Sequence, residues 1–361
     1  MLALTLGGMT RRSAVSRTAV MMDVARLAGV SHQTVSRVLN DHPSVRAQTR
    51  DRVLEAMREL DYRPNSAARA LVTKRSQTLG LVSFDTTLVG PASMVYGIEG
   101  AARRAGYFVS IASVQSLDRR SVLEAVSRLR EQFVEGIIAI VPQDGAMQAL
   151  SEVPADIPLV GVGLGESTDV PMVGLDNVAG ARAAVRHLIE LGHKSVHHIS
   201  GPADWPEAQE RLAGWRGVLE DAGRDIPAPL IGDWSARSGY EAGLQLVGNK
   251  AATAIFCAND HMALGVIRAL TEAGCRVPGD VSIVGFDDIP EAPYLLPPLT
   301  TVSQDFPELG RRSLDLLMEQ IDSGTRTAAK LRLPPHLVTR VSTGPPTKTP
   351  KKPPHSGANP P

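Results

Sequence analysis

Side chains that can hydrogen-bond to DNA bases gather in the stretch SHQTVSRVLN, residues 31–40. At about 100° per residue along a helix, its valines and leucine share one face, and the opposite face carries His32, Gln33, Ser36 and Arg37. Glutamine matches the edge of adenine and arginine that of guanine in the major groove. We therefore predict a recognition helix at about 32–40.

The flanking residues favour two further helices and a tight turn. Asp23 can cap a first helix with Leu27 among its inward positions, and Gly29 suits the turn because glycine takes positive φ at no steric cost. Ser31 can cap the recognition helix, and Ser44 can cap a third helix. The pattern predicts a helix-turn-helix domain over 21–63, after an extension, 1–20, expected to be disordered. Three arginines near the third helix suit contact with phosphates: Arg46, Arg50 and Arg52.

The segment after this domain has two interpretations. Pro64 ends the third helix, and Asn65 can cap a short alanine-rich segment that runs to Leu71 but is too short to be helical alone. It could fold on DNA, with Leu71 as an apolar wedge between base steps of the minor groove. It could also be a plain linker, which the pattern alone favours.

Charge is distributed unevenly along a chain whose formal net charge is zero. Residues 1–75 contain 13 Lys and Arg against 6 Asp and Glu, whereas residues 76–344 contain 22 against 32. A basic segment on an acidic body indicates a polyanionic partner for the first part only. The two cysteines indicate a reducing compartment, and we expect a cytoplasmic protein with no membrane segment.

From residue 79 onward, short apolar runs alternate with helical patterns, which predicts parallel sheets built of βαβ units. The runs are too many for one small sheet, and HLIELGHKSVHHISG resembles a restart of the pattern at the beginning of the body. We therefore predict two similar, doubly wound α/β lobes. Ligands of such sheets lie outside the carboxyl ends of the strands.

Polar and aromatic residues follow several of these predicted strands. Carboxylate, amide and guanidinium groups beside flat rings suit a sugar, whose hydroxyls meet the polar groups and whose C–H face stacks on the rings. Each residue taken singly could instead be a helix cap or a turn. We find no nucleophile with a base and no convincing metal spacing among the histidines, so we expect no catalytic residue, no metal and no cofactor. The candidates are Asp204, Trp205, Arg211, Trp234, Asn259, Asp260, Asp287, Asp288, Gln304, Asp305 and Phe306.

Taken together, DVARLAGVSHQTVSRVLN, YRPN, GPADW, RLAGW, GDWSA, ANDHMALG, VSIVGFDD and PPLTTVSQDF resemble the lactose-repressor/galactose-repressor (LacI/GalR) family of bacterial transcription regulators. The resemblance runs in unbroken order from about Met22 to Thr343. It implies a dimer that binds operator DNA, and a core similar to periplasmic sugar-binding proteins. It also implies a hinge helix from Asn65 to Leu71, which reverses the preference for a linker. The implied DNA contacts are Ser31, His32, Gln33, Thr34, Ser36, Arg37, Asn40, Asn65, Ala68 and Leu71.

The resemblance also implies roles inside the core. Arg211, Asn259 and Asp287 would hold effector hydroxyls, and Trp234 and Phe306 would line or stack in the cleft near Gln304. Trp205 is a candidate from its place after a predicted strand. Leu88 and Met94 would form the apolar wall of the first lobe. Lactose-responsive members have an aspartate and two serines where this chain has Gly163, Trp205 and Glu207, so their specificity is not implied.

We expect a transcriptional repressor whose operator affinity falls when a sugar binds between the lobes. A corepressor would use the same parts. A sugar-transport protein would need an export signal and no helix-turn-helix, and a dehydrogenase would need a cofactor loop. The tail lacks the leucine heptads of tetrameric members, which favours a homodimer. The predicted boundaries are 64–76 for hinge and linker, 77–343 for the core, with lobe one at about 77–175 and 304–335 and lobe two at about 176–303, and 344–361 for a disordered tail.

Overall fold

The computed structural model describes residues 19–63, 75–84, 86–116, 118–140, 144–163, 170–326 and 328–347. The chain divides into two compact units, residues 1–76 and residues 77–361. The predicted extension lies outside the described residues up to position 18.

The first unit contains the predicted helix-turn-helix. Three helices, α1 (Met21–Ala28), α2 (His32–Leu39) and α3 (Ala47–Glu59), pack around a small core that includes Val24, Val35 and Val53. Gly29 follows α1 with φ +63°, in the left-handed region that favours glycine. Ser31 caps α2, since its hydroxyl accepts a hydrogen bond from the Thr34 N–H at 3.2 Å. Turn, cap and recognition helix are as the sequence predicts.

Details of the other two helices differ from the prediction. Asp23 lies inside the first turn of α1, where it accepts a hydrogen bond from the Val20 N–H at 3.1 Å. Leu27 is 46% exposed, because Val24, Ala25 and Ala28 fill the narrow buried side of this two-turn helix. Ser44 precedes α3 and is bonded to the His42 ring at 2.8 Å, so it caps nothing.

The second unit contains two six-stranded sheets. The strands of lobe one are β1 (Thr78–Phe84), β2 (Phe108–Val114), β3 (Ile137–Ile140), β4 (Leu159–Val162), β5 (Met172–Leu175) and β11 (Lys330–Leu333). The strands of lobe two are β6 (His197–Ser200), β7 (Leu230–Ile231), β8 (Ala254–Cys257), β9 (Ser282–Asp287), β10 (Thr300–Ser303) and β12 (His336–Val338).

Helices cover these sheets. Those of lobe one are α4 (Val89–Arg104), α5 (Arg119–Glu131), α6 (Asp144–Ser151) and α11 (Phe306–Ser323). Those of lobe two are α7 (Asn177–Glu190), α8 (Pro206–Asp221), α9 (Ala236–Leu246) and α10 (Asp260–Glu272), with a single 3₁₀ turn at Ala292–Tyr294. The sheet orders are β11-β5-β4-β3-β1-β2 and β12-β10-β9-β8-β6-β7.

The two lobes repeat one topology, which confirms the predicted pair of doubly wound lobes. Every pairing in the first sheet is parallel, and in the second only β12 runs antiparallel, against β10. Each sheet changes its direction of winding beside its first strand, β1 or β6. Such a switch leaves a crevice at the carboxyl ends of the strands.

The chain crosses between the lobes three times, and the crossings define the lobes. It passes to lobe two after β5, returns after β10 and passes back after β11. Residues 336–338 therefore belong to lobe two, which the sequence did not assign. The predicted tail also begins too early, because the Gly344 N–H donates to the Ser282 hydroxyl at 3.0 Å. Residues 348–361 lie outside the described residues.

Two glycines let α4 and α11 touch through their backbones. A Cβ atom on Gly97 would lie 2.2 Å from the carbonyl oxygen of Phe306, and one on Gly310 would lie 2.2 Å from the Gly97 carbonyl. Since neither helix backbone can yield without moving the sheet beneath it, this contact fixes where Phe306 stands at the start of α11.

We expect Gly97→Ala to lower the free energy of unfolding by about 1–3 kcal/mol, because it overpacks this contact. Gly100→Ala on the same helix is the control, since its Cβ would meet only the Arg104 guanidinium at 3.5 Å. Urea denaturation measures both. Equal stability of Gly97→Ala and the unsubstituted protein would contradict the close contact.

Candidate functional sites

The exposed face of α2 carries the predicted DNA contacts of the first unit. Ser31, His32, Gln33, Arg37 and Asn40 are exposed, and Thr34 and Ser36 are half-buried. The Ser31 and Thr34 hydroxyls bond to each other at 2.9 Å at the start of the helix. The remaining predicted contacts, Asn65, Ala68 and Leu71, lie outside the described residues, as does most of the hinge assignment.

A basic depression lies beside this face. It is lined by Arg37, Arg46 and Arg52 together with the hydroxyl-bearing residues Ser31, Thr34, Ser44 and Thr49. None of these three arginines forms an ion pair with another described residue. Arg50 differs from the prediction, because it pairs with Asp41 at the end of α2 and also donates to the His42 carbonyl at 3.4 Å. Cationic and hydroxyl groups on one concave surface suit contact with a phosphate backbone.

A cavity of about 790 Å³, open mouth included, lies between the two lobes of the second unit. It falls at the carboxyl ends of the strands, where the doubly wound fold places ligand sites. All nine predicted effector residues line it: Leu88, Met94, Trp205, Arg211, Trp234, Asn259, Asp287, Gln304 and Phe306.

The two walls of the cavity differ in chemistry. Lobe one contributes apolar side chains, among them Leu88, Val89, Met94 and Ile140, while charged and amide side chains come from lobe two and the crossing after β10. A ligand that fits both walls therefore has a polar edge and a less polar face.

A buried ion pair forms the floor of the polar wall. Arg211 on α8 and Asp287 at the end of β9 are 7% and 8% exposed, with 3.5 Å between Nη1 and Oδ1. The guanidinium also donates from Nε to Asn177 at 2.9 Å and from Nη1 to the Ala258 carbonyl, and its carbon lies 3.8 Å from the centre of the Phe286 ring. Burial lowers the pKa of Arg211 and raises that of Asp287 to about 6, and the pairing opposes both shifts.

Gln304 ties this pair to a crossing between the lobes. Its Nε2 donates to Asp287 Oδ1 at 2.8 Å, and the residue stands between β10 of lobe two and α11 of lobe one. A ligand that displaces or strengthens this bond therefore acts on a segment that joins the lobes.

Asn259 is a helix cap as well as a lining residue. Its Oδ1 accepts from the Met262 N–H at 2.9 Å, and its Nδ2 donates to the Trp234 carbonyl at 3.0 Å. The sequence also allowed Asn259 to be a helix cap, and the structure shows that it is one. A side-chain amide can form four hydrogen bonds, so a ligand can still use the remainder.

Aromatic rings form one end of the cavity. The Trp205 ring lies 5.7 Å from that of Trp234, edge to face, and 6.3 Å from that of Phe84, which ends β1 in the opposite lobe. Trp234 has φ +72°, and its ring packs where a Cβ atom on Gly201 would collide with it at 2.3 Å. The Trp234 Nε1–H is buried and has no hydrogen-bond partner among the described residues.

Asp260 stabilises the backbone at the end of β9, where two residues have unfavourable φ angles. Asp287 and Asp288 both have positive φ, +108° and +55°, a conformation that costs about 1–3 kcal/mol at each non-glycine residue. Asp260 is 0% exposed and accepts hydrogen bonds from the Ile289 N–H and from the Thr301 hydroxyl. Burial raises its pKa to about 8.

The sequence singled out only part of the lining. Asn177 and His261 also line the cavity, as does Glu207, a residue that departs from the family pattern. Asn177 follows β5, a strand of only four residues, while His261 is two residues from Asn259. No group of three or more His, Cys, Asp or Glu side chains in the described ranges could hold a metal. No described helix is long and apolar enough to cross a membrane.

Comparison with known proteins gives matches to both units. Residues 20–65 match the bacterial regulatory proteins of the lacI family, and residues 185–343 match the periplasmic binding protein-like domain. The lactose operon repressor of Escherichia coli (strain K12) is 37% identical over 325 residues, 90% of each chain. The ribose operon repressor of the same strain is 32% identical over 336 residues, 90% of this chain and 99% of that one.

Solved structures agree with these matches. The crystal structure of the lac repressor dimer bound to operator and the anti-inducer ONPF superposes with a TM-score of 0.83 at 36% identity, over 91% of this chain and all of that one. The complex of the transcriptional regulator CelR with cellobiose superposes with a TM-score of 0.66 at 33% identity, over 90% and 99%. A helix-turn-helix unit and a two-lobed core of this kind define a DNA-binding transcriptional regulator. The chain belongs to the lacI family of bacterial regulatory proteins.

The raised pKa of Asp260 makes stability depend on pH. Between about pH 4 and pH 8 the folded chain holds a proton on Asp260 that the unfolded chain has lost, so stability falls as pH rises. We expect the free energy of unfolding of the unsubstituted protein to fall relative to that of Asp260→Asn over this range, by up to about 1.4 kcal/mol per pH unit. Urea titrations from pH 5 to pH 8 measure the difference. Parallel curves for the two proteins would show that Asp260 is ionised when folded.

Proposed function

We propose that the chain is a repressor that binds operator DNA as a homodimer and releases it when a sugar binds in the cavity between the lobes. One observation carries the effector half of this proposal. A buried guanidinium, carboxylate and amide converge with two indole rings in a single cavity, beside a segment that joins the lobes.

The DNA half rests on the exposed face of α2. Gln33 and Arg37 would read base edges, and the basic depression beside them would hold phosphates. We assign the adjoining minor groove to the hinge residues Asn65, Ala68 and Leu71, with Leu71 as the wedge. The lac repressor structure described above is bound to operator, which supports this assignment.

The sugar half rests on complementary chemistry. Arg211, Asp287 and the Trp234 N–H offer donors and acceptors for hydroxyls, and the rings of Trp205 and Trp234 offer flat surfaces for the C–H face of a sugar. Relatives named as lactose and ribose operon repressors, and the complex of CelR with cellobiose, support a sugar as the ligand.

Exposed apolar residues support the homodimer. Phe108 and Ile111 on the edge strand β2 are exposed, as is Tyr96 on α4 of the same lobe, and Tyr294 and Leu296 are exposed on lobe two. An exposed edge strand that carries apolar side chains is a surface on which another chain can pair. The lac repressor matched above is a dimer.

The proposed coupling is a difference in free energy between two lobe arrangements. A ligand that binds one arrangement better shifts the population toward it, and typical couplings of about 1–3 kcal/mol change affinity several-fold to a hundredfold. Gln304 would carry the change, because it binds Asp287 and stands at a crossing. A ligand that favours the opposite arrangement would be a corepressor.

We propose no enzyme activity, since the relatives named above are repressors. A protein that binds operator DNA works beside the chromosome, so we place this one in the cytoplasm.

Arg37→Ala tests the recognition helix. We expect it to reduce discrimination between operator and random DNA by about 1–3 kcal/mol, while weak salt-dependent binding remains. Fluorescence anisotropy at fixed salt measures both affinities. Arg58→Ala is the control, because Arg58 is exposed at the far end of α3 and paired with Glu55. Unchanged discrimination in Arg37→Ala would contradict the assignment.

Trp205→Leu tests the sugar-binding surface. Loss of the indole face should weaken the response to the sugar that releases the unsubstituted protein by roughly three- to tenfold, while operator affinity without sugar stays the same. Phe133→Leu is the matched control, since Phe133 is an exposed aromatic outside the cavity lining. A full sugar response in Trp205→Leu would remove Trp205 from the site.

A further inference from the structure

The charges that line the cavity are unbalanced. Arg211 is the one arginine or lysine among the described lining residues, and its charge is already paired with Asp287. Glu207 adds a second carboxylate to the lining, which then holds two acidic residues, one arginine and His261. A phosphate group is usually bound by unpaired arginines or lysines, and this lining supplies none.

Helix N-termini are the other common phosphate site, because their free N–H groups point at the ligand. At three helices next to the cavity, a side-chain oxygen of the chain itself already accepts a hydrogen bond from one of these N–H groups. Asp176 accepts from the Ala179 N–H at 2.8 Å at the start of α7, and Asp305 accepts from the Glu308 N–H at 2.9 Å at the start of α11. Asn259 does the same for α10.

The N-terminus of α8 is closed to anions in a different way. Its first residue is Pro206, which has no N–H, and its second is Glu207, whose carboxylate lies in the first turn and lines the cavity. A negative ligand group at this point would meet the Glu207 carboxylate. The start of α4 has no side-chain cap, but its third residue, Pro91, has no N–H, and Leu88, Val89 and Gly90 beside it add no positive charge to the lining.

We propose that the cavity selects an uncharged glycoside and that Glu207 excludes phosphorylated sugars. This inference rests on the proposed function and names the class of its ligand. A hydroxyl can donate to the Glu207 carboxylate, whereas a phosphate monoester is repelled by it in a partly buried site where water screens charge weakly. Glu207 is thus a residue that determines specificity.

The tryptophans report binding directly. Two of the three in the chain, Trp205 and Trp234, line the cavity, so their fluorescence responds to a ligand whether or not DNA is present. The effect of a phosphate group on affinity is measured with pairs of sugars that differ only in that group. The pairs are cellobiose and cellobiose 6′-phosphate, glucose and glucose 6-phosphate, and ribose and ribose 5-phosphate.

For at least one pair, we expect the uncharged sugar to bind and its phosphate to bind at least tenfold more weakly. Glu207→Gln should reduce the ratio of the two dissociation constants severalfold, mainly because the phosphorylated sugar binds more tightly to this variant. Glu220→Gln is the control and should keep the ratio, since Glu220 is exposed on the same helix and outside the lining.

Three results would overturn the inference: a phosphate that binds as tightly as its parent sugar, no binding by any uncharged sugar, or a ratio that Glu207→Gln leaves unchanged. Operator anisotropy on the same samples separates this inference from the proposed function. An uncharged sugar that binds selectively without changing operator affinity supports the specificity of the cavity and contradicts the coupling.

Discussion

The buried pair of Arg211 and Asp287 is the interaction on which the core depends. The two charged side chains are 7% and 8% exposed, and burying them costs free energy. Further hydrogen bonds offset this cost. The Arg211 guanidinium donates to Asn177 and to the Ala258 carbonyl, and Gln304 donates to the Asp287 carboxylate. Through these partners one ion pair joins α8, the start of α7, the end of β8 and the crossing after β10. Removing either charge would leave the other buried and unpaired, so the pair organises the cavity floor before any ligand arrives.

The surrounding fold keeps this floor rigid. Asp260 anchors the strained turn at Asp287 and Asp288, and the bare backbone of Gly201 makes room for the Trp234 ring. Strain of this kind persists only where neighbouring contacts over-determine the conformation, and it gathers at ligand sites.

Much of this architecture is predictable from the sequence, because strand ends and helix caps are local features. The alternation of apolar runs with helical patterns predicts both lobes, and strand-end position with family resemblance identifies nine cavity residues. Long-range packing is not predictable in this way. The addition of β12 to lobe two depends on elements distant in the chain, and the exposure of Leu27 depends on competition for a narrow buried face. The ion pair of Arg50 with Asp41 joins α3 to the turn after α2, nine residues earlier, and depends on how these helices pack. The positive φ of Trp234 has no local signature, since a bulky residue is disfavoured there.

The central claim is that a ligand between the lobes changes the affinity for DNA. Fluorescence anisotropy with DNA from upstream of the protein's own gene, at fixed salt and with saturating uncharged glycosides, tests it most directly. A glycoside that quenches the cavity tryptophans should raise the operator dissociation constant about 5- to 150-fold. If glycosides quench the tryptophans and none of them changes operator affinity in either direction, the cavity is not coupled to the DNA-binding unit.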